Sequence, residues 1–228
     1  MQDNDWAHLQ RSWDFLSPLD LKTAATIVGC GSVGSVAAMT LLKMGVPAVV
    51  IYDEDVINPE NLPNQFLPDN IGEMKVNGLL DILALMGLGE KAIPQPHMWL
   101  GEQLNAEIVI SAVDSMAVRR QLFSACVREG KTRLFIDART GGEYMKVYAL
   151  DPGNERMKHN YLATLHSDDS ADNVPCTASQ IIYTSLFAGG MIAHRVKQWI
   201  KSEEIAFDTI FDIQHEVVVP SRRLWKRE

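Results

Sequence analysis

Three glycines have the spacing Gly-x-Gly-x-x-Gly in the stretch Gly29-Cys30-Gly31-Ser32-Val33-Gly34. An apolar run precedes them and a helical pattern follows, which is the context in which this motif binds a phosphate. The first glycine permits a tight turn, the second lets a phosphate approach the backbone, and the third packs helix on strand. The motif predicts a nucleotide site built on Gly29, Gly31 and Gly34. The alternative is a glycine turn that serves only packing.

Polar side chains after the next apolar run bear on which nucleotide would bind. Asp53 ends that run, where a carboxylate can accept hydrogen bonds from ribose hydroxyls. Before the next helical pattern the chain also offers Asp55, Asn61, Gln65 and Lys75. A lysine supplies a point charge for a polyphosphate, whereas an NAD site needs no such polar set. The segment therefore favours ATP over NAD, although Lys75 could also be a solvated surface lysine.

These features together resemble the ThiF/MoeB family, which includes the adenylation domains of ubiquitin-activating enzymes. The similarity covers residues 24 to 140 and, more loosely, the rest of the chain. The motifs that carry it are Asp53-Glu54-Asp55, Asn61-Leu62-Pro63-Asn64-Gln65, Gly72-Glu73-Met74-Lys75 and Ala112-Val113-Asp114-Ser115. The resemblance implies that ATP adenylates the C-terminal carboxylate of a ubiquitin-like protein with a β-grasp fold.

The resemblance also implies a role for each matching residue. Asp53 would hold the ribose, and Asn61 and Lys75 would contact phosphates. Asp114 would hold magnesium, an ion usually bound by one or two carboxylates together with the phosphates of its substrate. The carboxylate of the partner would attack the α-phosphorus and release pyrophosphate, so the enzyme would act by positioning and charge neutralisation.

One position departs from the family pattern. The family has an arginine where this chain has Asn64, so one cationic phosphate contact is missing. Arg139 follows a later strand at the sheet edge where such folds bind ligands, and it could help. Family members often receive an arginine from the N-terminus of a dimer mate, for which Arg11 is the candidate. An exposed helix charge is the alternative for Arg11.

Cys176 is the candidate for a covalent step. It directly precedes a long helical pattern, and a helix N-terminus makes a thiol a better nucleophile. By position it resembles the cysteine on which ubiquitin-activating enzymes capture the acyl group as a thioester, before a conjugating-enzyme-like acceptor takes it. The alternative is a small buried cysteine at a helix start. Cys30 and Cys126 are expected to be structural.

Composition restricts the other classes of function. The net charge of −8 argues against a nucleic-acid backbone as the main partner. The three cysteines include no CxxC pair, so a disulfide framework or a four-cysteine zinc site is not expected. No apolar run suits a signal peptide or a membrane span. We therefore expect a cytoplasmic protein with reduced thiols and no membrane partner.

Alternating apolar runs and amphipathic stretches predict an α/β fold of the Rossmann type, with an open, mostly parallel sheet and helices on both faces. We expect one domain over residues 1–228, with a leader helix at 1–22 and a mobile crossover loop at 151–175. Strands are predicted at 24–28, 48–52, 107–113, 133–136, 144–150, 207–213 and 216–219. Helices are predicted at 32–45, 74–88, 115–129 and 177–201.

Several functions stay open on the sequence alone. The leading hypothesis is activation of a ubiquitin-like protein by a homodimer, because the chain resembles ThiF-family members of bacterial conjugation operons, some of them linked to phage defence. Adenylation for sulfur transfer is the close alternative, although the paired CxxC motifs that many such enzymes carry are absent. An NAD-dependent oxidoreductase, a tRNA-modifying dehydratase and a non-catalytic nucleotide-binding scaffold are the remaining candidates.

Overall fold

Strands and helices alternate in the computed structural model, which describes residues 7–63, 66–166 and 181–227. The strands are β1 (Ala25–Val28), β2 (Val49–Tyr52), β3 (Ala92–Gln95), β4 (Ile108–Ser111), β5 (Leu134–Gly141), β6 (Tyr144–Leu150), β7 (Ile205–Ala206), β8 (Asp208–Asp212), β9 (Val217–Pro220) and β10 (Leu224–Trp225). The helices are α1 (Ser32–Met44), α2 (Lys75–Leu85), α3 (Met116–Glu129), α4 (Glu155–Leu162) and α5 (Ile182–Ile200). Short 3-10 helices supplement them.

Eight of the strands form one sheet in the order β3-β2-β1-β4-β5-β6-β8-β9. The first five in that order pair in parallel, and β6, β8 and β9 continue the sheet antiparallel. Strand order reverses between β1 and β4, and a crevice at the carboxyl ends of strands forms at such a reversal. The predicted Rossmann-like α/β fold is confirmed, with a mostly parallel sheet.

Helices cover both faces of the sheet, and strand residues alternate between two cores. Ile136 of β5 packs in the core formed with α1, α2 and α5, whereas its neighbour Phe135 packs with α3 and α4. In the second core the rings of Phe123, Phe135 and Tyr161 meet at centroid distances of 4.6–5.4 Å. The sheet is therefore held rigidly beneath the crevice by packing on both sides.

The structure differs from the sequence-based expectation at several places, including the leader, the polar segment after β6 and the edge of the sheet. The described part of the expected leader helix contains two short 3-10 helices, Ala7–Ser12 and Pro18–Asp20. The polar segment expected to be a loop begins with helix α4, which Asn154 caps by accepting a hydrogen bond from the Met157 amide. Strand β3 was not predicted, because Pro94 disfavours a strand except at a sheet edge, which is where β3 lies.

The helices in the described part of the chain include none that is both long and apolar enough to cross a membrane.

Helix α5 packs closely against α1 at one of two adjacent glycines. A Cβ atom on Gly189 would lie 2.5 Å from Val36 Cγ1, whereas one on Gly190 would have no neighbour within 4 Å. We expect Gly189→Ala to lower the free energy of unfolding by about 1–3 kcal/mol through overpacking. Gly190→Ala should raise it by about 0.5–1 kcal/mol, because alanine has the higher helix propensity. Urea denaturation of both variants would measure this, and equal effects would contradict the close packing.

Candidate functional site

The glycine turn follows β1 directly and is shaped by two close backbone approaches. Gly29 has a φ of 98°, and a Cβ atom there would lie 2.5 Å from the carbonyl oxygen of Ala112. A Cβ atom on Gly34 would overlap the carbonyl oxygen of Gly29. Gly31 differs, because nothing lies within 4 Å of where its Cβ would be. The backbone at Gly31 is thus open to an approaching group, as a phosphate loop requires.

A cavity of about 630 Å³ opens beside this turn, at the carboxyl ends of β1, β2, β4 and β5. Its volume is within the range of small-molecule sites. It lies where the strand order reverses, as expected for this class of sheet. The lining residues are Val28, Gly29, Gly31, Ser32, Val33, Tyr52, Asp53, Glu54, Asp55, Lys75, Met98, Trp99, Ala112, Val113, Asp114, Val118, Arg119, Ala138 and Thr140.

Asp53 links the glycine turn to the end of β2. Its Oδ2 accepts a hydrogen bond from the backbone amide of Cys30 at 2.6 Å, and its Oδ1 accepts one from the Asp55 amide at 2.8 Å. Burial raises the pKa of Asp53 above its usual value, although both amide hydrogen bonds act in the opposite direction. Carboxylate oxygens have further lone pairs, so the side chain can still accept bonds from hydroxyl groups of a ligand.

Lys75 is the first residue of α2, and its ammonium group forms an ion pair with Asp55 at 2.7 Å. The lysine side chain is 14% exposed, while that of Asp55 is 61% exposed. An ion pair with a well-solvated carboxylate contributes little free energy. A polyphosphate in the cavity could therefore replace Asp55 as the partner of Lys75 at small cost.

The charges on the cavity wall fit a nucleotide that carries a divalent cation. Four carboxylates line it, on Asp53, Glu54, Asp55 and Asp114, against Lys75 and Arg119. This excess of negative charge would repel a bare polyphosphate. Carboxylate oxygen is also the donor that magnesium prefers. Asp114 ends the loop after β4 with an exposed side chain, so a carboxylate is available to such an ion.

Beneath the cavity, Asp137 of β5 is fully buried between two arginines. Its Oδ1 accepts a hydrogen bond from Arg119 Nε at 2.9 Å, and its Oδ2 accepts bonds from Arg139 Nε at 2.7 Å and Tyr161 Oη at 3.0 Å. Burial alone would raise the pKa of Asp137, but the charges of Arg119 and then Arg139 outweigh it and hold that pKa below its usual value. The carboxylate is therefore ionised and fully hydrogen-bonded at neutral pH.

Residues 20–216 match the model of the ThiF family. The chain belongs to the ThiF family. It is 28% identical over 114 residues to the sulfur carrier protein ThiS adenylyltransferase of Escherichia coli strain K12, a match that covers 47% of this chain and 45% of that protein. It is 29% identical over 136 residues to the adenylyltransferase and sulfurtransferase uba4 of Aspergillus terreus, covering 56% and 28% of the two chains.

A third relative is the ubiquitin-like modifier-activating enzyme 5 of Oryza sativa, with 27% identity over 125 residues, covering 46% and 30% of the two chains. This ThiF-family chain spans less than half the length of these three curated relatives. Among solved structures, Escherichia coli MccB with ATP has the same fold, with a TM-score of 0.74 at 16% identity over 94% of this chain and 71% of MccB.

The fold of the chain brings six of the residues predicted from the sequence to the cavity wall: Gly29, Gly31, Asp53, Asp55, Lys75 and the proposed metal ligand Asp114. Gly34 lies on α1 behind the turn, next to the Gly29 carbonyl and the Ala112 side chain. Gln65 and Cys176 lie outside the described residues, as do Asn64 and the later part of the predicted crossover loop.

Arg139 is not placed at the cavity. Because side chains alternate along β5, Ala138 and Thr140 face the cavity and Arg139 faces the opposite side of the sheet. Its guanidinium lies 4.5 Å from the Tyr148 ring centroid and donates to the Thr164 carbonyl at 3.1 Å. The position of Arg139 therefore argues against the phosphate contact that the sequence suggested for it. Its guanidinium forms an ion pair with Asp137 at 2.7 Å.

Two other predicted residues also lie off the cavity wall. Asn61 ends a 3-10 helix, and its Oδ1 accepts a hydrogen bond from the Asn58 amide at 2.9 Å, so it shapes the segment between β2 and α2. Arg11 is exposed on the 3-10 helix Ala7–Ser12. A contact from Arg11 to the site of a second subunit stays a prediction.

Sequence reasoning missed Arg119, Met98 and Trp99. Met98 and Trp99 line the cavity just after β3, which had not been predicted. Arg119 lies on the first turns of an amphipathic helix, where a charged residue normally indicates a solvated face. Its position at the start of the helix that follows Asp114 was the signal available, since the start of such a helix faces the crevice.

We expect Asp137→Asn to lower the free energy of unfolding at neutral pH by about 3–5 kcal/mol, because it leaves buried guanidinium charge without its counter-ion. The folded-state pKa of Asp137 lies below its unfolded value. Its stabilising effect is therefore complete above the unfolded pKa and is lost as pH falls through the folded pKa. When the free energy of unfolding is measured from pH 7 down to acid pH, the difference between wild type and variant should shrink only below about pH 4. A gap that stays constant across this range would contradict the charge assignment.

Proposed function

We propose that this protein adenylates the C-terminal carboxylate of a partner protein, with ATP as co-substrate. The observation that supports it most directly is the meeting of Lys75, Asp53 and Asp114 around the open glycine turn. Asp53 and Lys75 lie at the two ends of the β2–α2 connection, and Asp114 lies in the β4–α3 connection. Together they offer one cation and two carboxylates to one ligand. Family membership and the resemblance of the fold to MccB, which has been solved with ATP, point the same way.

In the proposed reaction, the backbone at Gly31 and the first turn of α1 receive the phosphates of ATP. The Asp53 carboxylate accepts hydrogen bonds from the ribose hydroxyls, which places the α-phosphorus above the turn. The partner's carboxylate oxygen attacks the α-phosphorus, the bond to the bridging oxygen breaks, and pyrophosphate leaves. The product is an acyl-adenylate, a mixed anhydride. Lys75 leaves Asp55 and neutralises negative charge on the phosphates.

Magnesium, held by Asp114 and the phosphates, would further neutralise the charge of the triphosphate and of departing pyrophosphate. In the ranges 7–63, 66–166 and 181–227, no group of three or more His, Cys, Asp or Glu side chains could hold a metal ion by itself. The ligand set therefore fits an ion that arrives with its nucleotide and uses one protein carboxylate, rather than an ion held permanently.

For the partner, we propose a ubiquitin-like protein, by analogy with relatives named for ubiquitin-like modifiers. The acyl group would then pass to Cys176 as a thioester and onward to a conjugating-enzyme-like acceptor, in a cytoplasmic homodimer to which Arg11 contributes in trans. Relatives named for sulfur carriers support the alternative, in which the adenylate is handed directly to a sulfur donor. A scaffold that binds nucleotide without catalysis is distinguished by pyrophosphate exchange.

Nucleotide binding tests the proposal before any partner is known. By calorimetry we expect ATP with magnesium to bind and NAD not to bind. Asp114→Ala should weaken binding of ATP in magnesium but not in EDTA, and should slow ATP–pyrophosphate exchange with a cognate partner by ~10²–10³-fold. Asp69→Ala is the matched control, since Asp69 is an exposed carboxylate away from the cavity wall. Binding of NAD without binding of ATP would refute the proposal.

The thioester step has its own test. Cys176→Ala should retain pyrophosphate exchange at about the wild-type rate, because adenylation involves only the nucleotide site. It should form no thiol-sensitive adduct with the partner protein, as read by mass spectrometry of candidate β-grasp proteins mixed with the enzyme. Cys126→Ala is the control for loss of a thiol, since Cys126 is buried. An adduct that survives in the Cys176 variant would favour the sulfur-transfer alternative.

A further inference from the structure

The connection from β4 to α3 carries Asp114, and the guanidinium of Arg119 binds its backbone. Arg119 Nη1 donates to the carbonyl oxygen of Asp114 at 3.0 Å, and Nη2 donates to the carbonyl oxygen of Val113. These are two successive peptide groups at the edge of the cavity. A cation that binds both fixes the orientation of the chain on either side of the Asp114 Cα atom.

The Arg119 guanidinium is itself held in place by Asp137. Its Nε donates to Asp137 Oδ1 at 2.9 Å, and the Arg119 side chain is only 3% exposed. Asp137 is on β5, in register with Ser111 of β4, so the carboxylate is anchored to the neighbouring strand of the sheet. A planar fork with five N–H donors can satisfy the carboxylate and both carbonyls at once, which a single ammonium group cannot do.

We propose that Arg119, held by Asp137, is a positioning residue for Asp114. The inference rests on the proposed function, because it concerns how Asp114 is presented to a magnesium–nucleotide ligand. The carboxylate of Asp114 is exposed and not packed against a core, so its location depends on the backbone that carries it. Arg119 and Asp137 transmit the rigidity of the sheet to that backbone, because the guanidinium of Arg119 binds Asp137 and both carbonyl groups.

A second, weaker constraint acts on the same connection. Ser115 caps α3, with its Oγ accepting a hydrogen bond from the Val118 amide at 3.3 Å. This neutral bond fixes the start of the helix, while the charged fork fixes the carbonyls before it. Hydrogen bonds to charged groups are the stronger kind. Loss of Arg119 should therefore loosen residues 112–118, which include the first turn of α3, while leaving the rest of the helix in place.

Hydrogen exchange tests this without any nucleotide. In Arg119→Lys, exchange of the amides of Ala112 and Val118 should be faster than in wild type by about tenfold or more. Amides of the glycine turn should keep their wild-type rates. Arg120→Lys is the matched control on the same helix, since the guanidinium of Arg120 binds the carbonyl of Leu165 instead. Unchanged exchange at 112–118 in Arg119→Lys would overturn the proposal.

If Arg119→Lys does not unfold cooperatively, Asp137→Asn serves as the second variant, because it keeps the shape of the carboxylate and removes its charge. It should raise exchange over residues 112–118 more than at the glycine turn, whose amides report the general loss of stability in this variant. Since these measurements need no ligand, they remain interpretable if wild type proves not to bind ATP. That outcome would refute the proposed function, while the exchange rates would still decide whether the fork fixes the connection.

A double-mutant cycle then asks whether Arg119 acts through Asp114. Arg119→Lys should raise the magnesium concentration needed for half-maximal ATP binding by about tenfold, with ATP binding in EDTA unchanged. In the Asp114→Ala background the same substitution should cause no further loss. Additive losses, or equal weakening in EDTA, would show that Arg119 affects the site by a route other than Asp114.

Discussion

A carboxylate buried away from water, between two guanidinium groups, is the interaction on which the site depends. Asp137 is 0% exposed, and an isolated charge at such a position would be prohibitively unstable. Arg119 and Arg139 approach it from different elements, so the three charges can be buried only if β5 and α3 are correctly placed. Both guanidinium groups also bind carbonyls of nearby connections. One ion cluster thus joins the sheet to the β4–α3 connection at the cavity and to the segment after α4.

The same arrangement distinguishes the cationic side chains that hold the fold together from the one that is available to a ligand. Arg119 and Arg139 form ion pairs with the buried Asp137, whereas the ion pair of Lys75 is with a well-exposed carboxylate. A ligand that competes for Lys75 displaces a weak contact. One that competed for either arginine would have to leave a buried carboxylate without its partner, which costs several kcal/mol. The cavity therefore has one readily available cation among the described residues that line it, although two cationic side chains reach its wall.

Much of this could be predicted from the sequence because it depends on local pattern. The glycine spacing, the apolar runs and the carboxylate after β2 each identify an element or its end, and parallel strands bring those ends together. The positions of Asp53, Lys75 and Asp114 at one cavity follow from that topology. Helix α4 was missed because it is short and mostly polar, with only Met157, Tyr161 and Leu162 packing against the second core.

Contacts between distant segments could not be predicted from the sequence pattern. Which face of β5 carries Arg139 depends on strand register, since moving by one residue reverses every side chain. The sequence placed Arg139 at the correct sheet edge but could not fix its side. Likewise, the pairing of Arg119 with Asp137 crosses from one element to another and has no signature in the spacing of either residue. A buried ion pair of this kind becomes visible only in three dimensions.

The three glycines of the turn differ in what an added side chain would disturb. Substitution at Gly29 or Gly34 brings a side chain against backbone atoms, so the damage occurs during folding and would be seen as reduced cellular abundance. Gly31 has free space around it and an extended backbone that any residue can adopt. Only a bound phosphate would give a reason to keep that position bare. A lineage that retained the fold but abandoned the nucleotide would be free to drift at Gly31 while Gly29 and Gly34 stayed fixed.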